Sequence, residues 1–221
     1  MIEISALHFS RLDGTHPRPI LSGLDLSLPA GAQCSLVGDS GTGKTTLLNL
    51  MAGLEPCQQG SLTVLGYDLV GKSATELALF RRRIGIVFQH FQLLESLSVY
   101  DNLLLPHRLL GRQGKPRRLQ MLADALGLSA LLSRYPHQLS GGEQQRVAVC
   151  RALIHEPGLV LADEPTGNLD ESNSQIVVAQ LKALARELGS TVIMVTHSES
   201  LARGFDYRLR LHSGQLHQAT G

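Results

Sequence analysis

The segment GDSGTGKT, residues 38–45, matches the pattern G-x-x-x-x-G-K-[ST], which is typical of loops that bind nucleotide phosphates. Its glycines let the backbone turn successive N–H groups inward around phosphate oxygens. Lys44 can reach the β and γ phosphates, and the Thr45 hydroxyl can bind Mg²⁺. Because an apolar run precedes the segment and a helical pattern follows it, we predict a nucleoside triphosphate site. Its binding residues are Gly38, Asp39, Ser40, Gly41, Thr42, Gly43, Lys44, Thr45 and Thr46.

Two adjacent carboxylates end the apolar run at residues 159–163. Ligands of parallel sheets bind at the carboxyl ends of the strands, so Asp163 and Glu164 can both face a ligand crevice. Asp163 is then placed to hold Mg²⁺ beside Thr45, directly or through water. Glu164 is the candidate general base that orients the water attacking the γ phosphate. The alternative is that one or both carboxylates only cap the following turn.

Two further polar side chains follow apolar runs of the strand type. His197 comes after VIMVT, and Gln89 comes after IGIVF. At the carboxyl edge of the same sheet, His197 could donate to the γ phosphate and Gln89 could contact the water shell of Mg²⁺. The alternatives are a purely structural histidine and an exposed glutamine. The candidate catalytic residues are therefore Glu164, His197, Gln89 and Lys44, and the candidate metal ligands are Thr45, Gln89 and Asp163.

The composition gives no sign of a polyanionic partner. The 221 residues carry 20 Lys and Arg against 19 Asp and Glu, a net charge of +1, so nucleic acid binding is not indicated. Three dispersed cysteines indicate neither disulfides nor a zinc site, and we expect a reducing cytosol. No uncharged apolar run approaches about 18 residues, and the first residues do not resemble a targeting segment. We therefore expect membrane contact only through a partner.

The periodicity of the chain predicts an α/β fold. Alternating runs in the first thirty residues, around a turn-rich DGTHPRP, predict two strands of an antiparallel β layer. Later runs are continuously apolar, as expected for strands of a mainly parallel sheet flanked by helices. Residues 89–156 have helix formers and little strand signal, which predicts an inserted helical subdomain. One domain, residues 1–221, would then combine this insertion with a nucleotide-binding core at residues 1–88 and 157–221.

Five motifs occur in the order GDSGTGKT, VFQ, LSGGEQQR, LADEPTGNLD and VTH. With them the chain resembles the ATP-binding subunit of an ABC transporter, a P-loop ATPase, over nearly all of its length. LSGG at the start of a helix is the most specific of the five. The segments VFQHFQLLESLSVYDNLLLP and ADEPTGNLD are similar to the bacterial lipoprotein-releasing, macrolide-efflux and cell-division ATPases. The resemblance implies ATP and Mg²⁺ as cofactors.

The resemblance also implies roles for single residues. Gln89 would lie in the loop that couples the nucleotide to a membrane subunit. Asp163 would hold the metal, and Glu164 would be the general base. His197 would respond to the γ phosphate, and Asp170 would lie at a dimer seam.

One position departs from the family pattern. Where an aromatic ring usually stacks on adenine, this chain has Arg11 or, with one gap, Leu12. The planar guanidinium of Arg11 could stack on a base instead. The resemblance therefore implies Arg11 as a nucleotide-binding residue but does not establish selectivity for adenine.

The LSGG motif has the features of an anion site. Ser140 is a natural N-cap, and Gly141 and Gly142 leave the first amides of the following helix uncovered. A helix from a separate subdomain cannot easily enclose the nucleotide of its own chain. The resemblance implies a head-to-tail homodimer, formed on ATP binding, with each ATP between Lys44 of one chain and the LSGG motif of the other. The alternative is that Ser140 only caps its own helix.

The resulting hypothesis is an ATPase that powers a bacterial inner-membrane ABC transporter through dimer closure. It would bind integral membrane permease subunits at the cytoplasmic face and drive export or extraction of lipid, lipoprotein, peptide or drug. The alternative is a cell-division type ATPase that drives a membrane partner as a mechanical regulator without transport. A DNA-repair type ATPase is disfavoured, because the sequence has neither a long coiled-coil insertion nor a zinc-bearing one.

Two segments are candidates for partner contacts. Residues 91–111 carry many apolar side chains, which form either local core or a groove for a short permease helix. The three arginines at residues 81–83 form either a solvated helix end or a contact with anionic lipid.

Overall fold

The computed structural model describes residues 1–14 and 16–218, in which ten strands and seven α-helices occur. The strands are β1 (Ile2–Asp13), β2 (His16–Leu28), β3 (Gln33–Val37), β4 (Gln59–Val64), β5 (Tyr67–Asp68), β6 (Ile84–Val87), β7 (Leu159–Asp163), β8 (Thr191–Val195), β9 (Tyr207–His212) and β10 (Gln215–Gln218). The helices are α1 (Lys44–Met51), α2 (Ala74–Arg81), α3 (Val99–Leu109), α4 (Leu119–Ala125), α5 (Gly141–Leu153), α6 (Glu171–Glu187) and α7 (Glu199–Ala202), with 3-10 helices at Ser129–Leu131 and Pro136–Gln138. None of the helices in these ranges is long and apolar enough to cross a membrane.

Six strands form the central sheet in the order β10-β9-β3-β8-β7-β6. All neighbours pair in parallel except the edge strand β10, which is antiparallel to β9. β3 and β8 are buried along their whole length, in agreement with their continuously apolar sequences. Parallel pairing brings the carboxyl ends of β3, β6, β7 and β8 to one edge of the sheet. The prediction of an α/β fold with a mainly parallel sheet is confirmed.

The second sheet is the predicted antiparallel layer, in the order β2-β1-β4-β5. β1 and β2 form a ribbon that is longer than the sequence indicated. The segment DGTHPRP, predicted as a turn, contributes Asp13 to β1 and residues 16–19 to β2, while Thr15 lies outside the described residues. Pro17 and Pro19 are compatible with β2 because it is an edge strand, where a missing N–H need not remove a ladder hydrogen bond.

Between β6 and β7 the described chain has only helices: α3, α4, the two 3-10 helices and α5. These helices share a hydrophobic cluster with the sheet. Val147 and Leu153 of α5 belong to the same cluster as Val160 of β7 and Val192 of β8. Packing of α5 on the sheet therefore fixes the LSGG motif relative to the strands. The division of the chain into a core and a subdomain at residues 89 and 156 stays a prediction.

Candidate functional site

The phosphate loop joins β3 to α1, and two of its glycines adopt backbone conformations that residues with a side chain rarely adopt. Gly38 has φ +153°, and a Cβ there would lie 2.6 Å from the carbonyl oxygen of Leu211. Gly43 has φ +104°, and a Cβ there would lie 2.7 Å from Cγ2 of Ile20. Gly43 is the N-cap of α1 and has no side chain to occupy the first amides of the helix. These amides are available to an anion.

Lys44 lies folded over this loop and is 5 % exposed. Its Nζ donates hydrogen bonds to the carbonyl oxygens of Gly38 and Asp39, both at 2.8 Å. Burial lowers the pKa of Lys44, and the negative charges of Glu164 and Asp163 act in the opposite direction. The ammonium therefore lies inside the loop and close enough to both carboxylates to interact with them.

Asp163 ends β7, and its Oδ1 atom is buried without a hydrogen-bond partner among the described residues. Burial raises the pKa of this carboxyl, while a hydrogen bond with the Thr45 hydroxyl lowers it. An unpartnered carboxylate oxygen beside a hydroxyl suits Mg²⁺, which binds proteins through one or two carboxylates and completes its shell with phosphate and water. Asp163 and Thr45 thus fit the predicted metal.

Glu164 and His197 are in direct contact. Oε1 of Glu164 lies 2.7 Å from Nε2 of His197. The Glu164 N–H donates to the carbonyl oxygen of Val195 at 3.1 Å, and φ of Glu164 is +46°, an uncommon value for a residue with a side chain. The histidine after β8 therefore holds the carboxylate after β7, and both residues lie at the carboxyl edge of the central sheet.

One cleft of about 290 Å³ brings half of the predicted site residues together. It is lined by Arg11, Ile20, Ser40, Gly41, Gly43, Lys44, Thr45, Thr46, Glu164 and His197. The Arg11 side chain is 52 % exposed, and its Nη2 atom pairs with Oε1 of Glu55 at 2.9 Å. In the same loop, Oγ1 of Thr42 donates to the Asp39 carbonyl oxygen at 2.9 Å. The phosphate loop and the two residues that follow strand ends, Glu164 and His197, therefore line the same cleft.

Gln89 does not line this cleft. Its side chain packs against the segment after Glu164, where a Cβ on Gly167 would lie 2.7 Å from Nε2 of Gln89. Nδ2 of Asn168 donates to the Gln89 carbonyl oxygen at 2.9 Å. Gln89 is therefore joined to the GNLD segment, and its contact with a metal stays a prediction.

The LSGG motif forms a second cleft of about 320 Å³ that shares no lining residue with the first. Ser140 caps α5 in a capping box with Glu143, and hydrogen bonds from Ser140 hold the pKa of Glu143 below its usual range. A Cβ on Gly141 or Gly142 would have no neighbour closer than 3.9 or 3.5 Å, respectively. Packing within the chain therefore does not require glycine at these positions. Asp170, the N-cap of α6, lines the same cleft.

The sequence pattern of the family described as ABC transporter matches residues 21–167. The chain belongs to the ABC transporter family. One relative is the lipoprotein-releasing system ATP-binding protein LolD of Zymomonas mobilis subsp. mobilis, which is 41 % identical over 219 residues, covering 98 % of this chain and 94 % of LolD. Another is the macrolide export ATP-binding/permease protein MacB of Rhodopirellula baltica, 40 % identical over 220 residues, covering 97 % of this chain and 32 % of MacB.

Solved structures of this ABC transporter family have the same fold. The ATP-binding cassette MJ0796, as a dimer bound to ADP and Pi after hydrolysis, superposes with a TM-score of 0.89 and 31 % identity over 100 % of both chains. The resemblance that the five motifs indicated is therefore confirmed, together with the ABC ATPase type of fold.

Arg151 holds the loop after Gln89 in this ABC cassette, and the sequence pattern did not predict this role. Phe91 and Gln92 have φ of +56° and +52°. Arg151 of α5 donates from Nη2 to the Phe91 carbonyl oxygen at 2.8 Å and from Nη1 to that of Gln92 at 2.5 Å. Arg151 thereby joins the helix of the LSGG motif to the loop after β6. The only signal in the sequence is a basic residue within the apolar spacing of a helix.

The phosphate-loop pattern also occurs at residues 66–73, GYDLVGKS, but this segment has a different local structure. This segment contains β5 of the antiparallel layer and ends at Ser73, which caps α2. Nζ of Lys72 lies over the Tyr67 ring, 5.6 Å from its centroid. The buried parallel strand β3 before residues 38–45 and the helix α1 after them, rather than the bare pattern, distinguish the predicted phosphate loop from this segment.

Proposed function

We propose that the chain is the ATP-binding and hydrolysing subunit of a bacterial inner-membrane complex that exports or extracts lipid, lipoprotein, peptide or drug. The observation that carries the proposal is the convergence of Lys44, Asp163, Glu164 and His197 beside the phosphate loop. Membership of the ABC transporter family supports ATP as the nucleotide. Relatives named for lipoprotein release and macrolide export support a transport role.

Each residue of the cleft has a role in this proposal. Lys44 exchanges its two carbonyl partners for oxygens of the β and γ phosphates, which the loop amides also bind. Asp163 and Thr45 would hold Mg²⁺, which would supply charge neutralisation on these phosphates. Glu164 orients the attacking water and accepts its proton. His197 positions Glu164 through the 2.7 Å contact and donates to the γ phosphate.

Hydrolysis in this proposal requires a second copy of the chain. The LSGG cleft lies apart from the phosphate-loop cleft, so each chain has two incomplete parts of a site. A Cβ on Gly141 or Gly142 would fit within the chain, so packing inside the chain does not explain glycine at these positions. Glycine there lets a ligand from outside the chain come close to the backbone. The amides at the start of α5 suit the phosphates of a nucleotide held by the partner. A head-to-tail homodimer places the clefts face to face twice, with Asp170 at the seam.

A matched pair of variants separates the two roles of Ser140. Asp and Asn cap helices about as well as Ser, so Ser140→Asp and Ser140→Asn in a Glu143→Gln background should unfold within about 0.5 kcal/mol of each other. Only the aspartate places a negative charge against the partner's nucleotide, and we expect its ATP hydrolysis to be at least about tenfold slower. Thermal unfolding and phosphate release measure these effects. Equal hydrolysis by the two variants would leave Ser140 with the capping role alone.

A groove beside the cassette core is proposed to bind the permease. It has a volume of about 400 Å³ and is lined by apolar residues that include Ile86, Phe88, Leu105 and Leu109. Val99 and Leu103 are buried while Leu109 is 61 % exposed, so residues 91–111 contribute both local core and groove. Arg151 also lines the groove and holds the loop after Gln89. A short permease helix in this groove would keep the chain at the cytoplasmic face of the inner membrane. The helix would also contact Arg151, which holds the loop after Gln89.

The proposed function is tested in two steps. Purified protein should release phosphate from ATP only with Mg²⁺, and co-purification from a detergent extract should identify the permease. Reconstitution of both in vesicles then measures translocation of candidate lipids, lipoproteins, peptides and drugs. ATP turnover in the complex without a translocated substrate would contradict transport and support the mechanical regulator.

Arg11 gives a prediction about base selectivity. A guanidinium plane stacks on any base, so we expect the KM values of the wild type for ATP and GTP to differ by less than about tenfold. Arg11→Ala should raise both KM values by about tenfold, because stacking contributes roughly 1–3 kcal/mol per base. Glu55→Gln, which removes the ionic partner and keeps Arg11, is the control and should change both values less. A strong preference of the wild type for ATP would show that other groups recognise the base.

A further inference from the structure

Two segments of the chain concentrate positive charge. Residues 77–94 contain three arginines, and residues 102–123 contain five Lys or Arg residues, while neither segment has an Asp or Glu. The net charge of the whole chain is only +1, so this concentration is local. The first segment holds the end of α2, and the second holds most of α3 and the loop after it.

The fold brings these segments to one cleft of about 510 Å³, which we call the arginine cleft and define by Arg82, Arg83 and Arg112. All three residues are exposed. Arg83 and Arg112 have only carbonyl partners, at 3.5 Å, and none of the three has a carboxylate within 4.0 Å among the described residues. Glu156, the acidic residue of the lining, already has Arg118 at 3.5 Å. The cleft therefore offers three guanidinium groups without an ionic partner.

Large apolar side chains stand next to these charges. Leu79 of α2 is 54 % exposed, and Leu109 of α3 is 61 % exposed. Arg82 lines both the arginine cleft and the groove that contains Leu109, so charge and apolar surface are contiguous. Exposed leucines beside basic residues are typical of surfaces that bind at the interface of an anionic bilayer. A soluble phosphate would use the arginines but would gain nothing from the leucines.

We propose that the arginine cleft binds the phosphate headgroups of anionic phospholipids, with Leu79 inserted at the bilayer interface and Leu109 left in contact with the permease helix. Arginine suits this ligand because its planar group binds phosphate oxygens through two parallel hydrogen bonds. In this proposal the chain also contacts the membrane directly, in addition to the expected contact through a partner. This direct contact does not depend on ATP hydrolysis, so its test is separate from that of the proposed function.

Co-sedimentation with vesicles tests this site. The purified chain should bind vesicles of phosphatidylglycerol and phosphatidylcholine at least about tenfold better than pure phosphatidylcholine. Arg82→Glu/Arg112→Glu should abolish this difference. Arg18→Glu/Arg203→Glu is the control, because it changes the net charge equally at exposed positions outside both segments. Equal loss of binding by both double variants would overturn the cleft as the site.

A second pair of measurements distinguishes lipid from free phosphate. Leu79→Ser should weaken vesicle binding severalfold without altering the charge, and it keeps the arginines if a charge reversal disturbs folding. Millimolar inorganic phosphate should displace little of the wild type. Full displacement by phosphate, together with wild-type binding by the leucine variant, would overturn the lipid proposal in favour of a soluble phosphate ligand.

Discussion

Glu164→Gln is expected to bind ATP and to hydrolyse it at least about 10²-fold more slowly than the wild type, the usual effect of losing a general base. Glutamine matches glutamate in shape and can keep the 2.7 Å contact with Nε2 of His197, so the cleft stays intact. Its amide cannot accept a proton from the attacking water. The substitution also removes a negative charge that would face the γ phosphate, so less repulsion opposes dimer closure. The variant should therefore accumulate as an ATP-bound dimer.

Phosphate release and gel filtration with Mg-ATP measure the two consequences. Glu95→Gln is the matched control, because Glu95 is exposed and lies outside both clefts, and it should behave as the wild type. A Glu164→Gln variant that elutes only as a monomer would contradict the composite site. A variant with wild-type turnover would exclude Glu164 as the base.

The sequence predicted the positions of those candidate site residues that directly follow a recognisable local pattern. Lys44 follows a glycine-rich turn between a buried strand and a helix, and Asp163 and His197 follow continuously apolar runs. Parallel strands align their carboxyl ends at one edge however long the segments between them are, so local patterns predict that residues far apart in the sequence share this edge. The same reasoning did not predict the neighbours of Gln89, whose Nε2 atom would lie 2.7 Å from a Cβ on Gly167 and which does not line the phosphate-loop cleft.

Other contacts have no local pattern and could not be predicted. Arg11 pairs with Glu55 across 44 residues, and Arg151 reaches the carbonyl of Phe91 across 60 residues. The turn lies within DGTHPRP but is shorter than predicted for a related reason, since Asp13 belongs to β1 and residues 16–19 belong to β2. Proline and glycine favour turns, but whether a proline is tolerated in a strand depends on the position of that strand at a sheet edge, which is a tertiary property.

Mixing two inactive variants is expected to restore hydrolysis. Lys44→Met removes the ammonium from the phosphate loop, and Gly142→Asp adds a carboxylate at the start of α5, where a Cβ would have its nearest neighbour at 3.5 Å and so fits without rearrangement. In either homodimer both sites carry a defect. In a head-to-tail heterodimer, one site combines the intact loop of the Gly142→Asp chain with the intact LSGG motif of the Lys44→Met chain. The other site collects both defects.

An equimolar mixture should form heterodimers as about half of all dimers, each with one intact site, so we expect about a quarter of wild-type phosphate release. Activity should be highest at equal amounts and vanish at either end of a titration. A mixture of Lys44→Met with the Lys44→Met/Gly142→Asp double variant is the control, because no arrangement of these chains completes a site. If each chain completed its own site, every ratio would stay inactive, since each chain carries its own defect. Recovery therefore requires that the phosphate loop and the LSGG motif of one working site come from different chains.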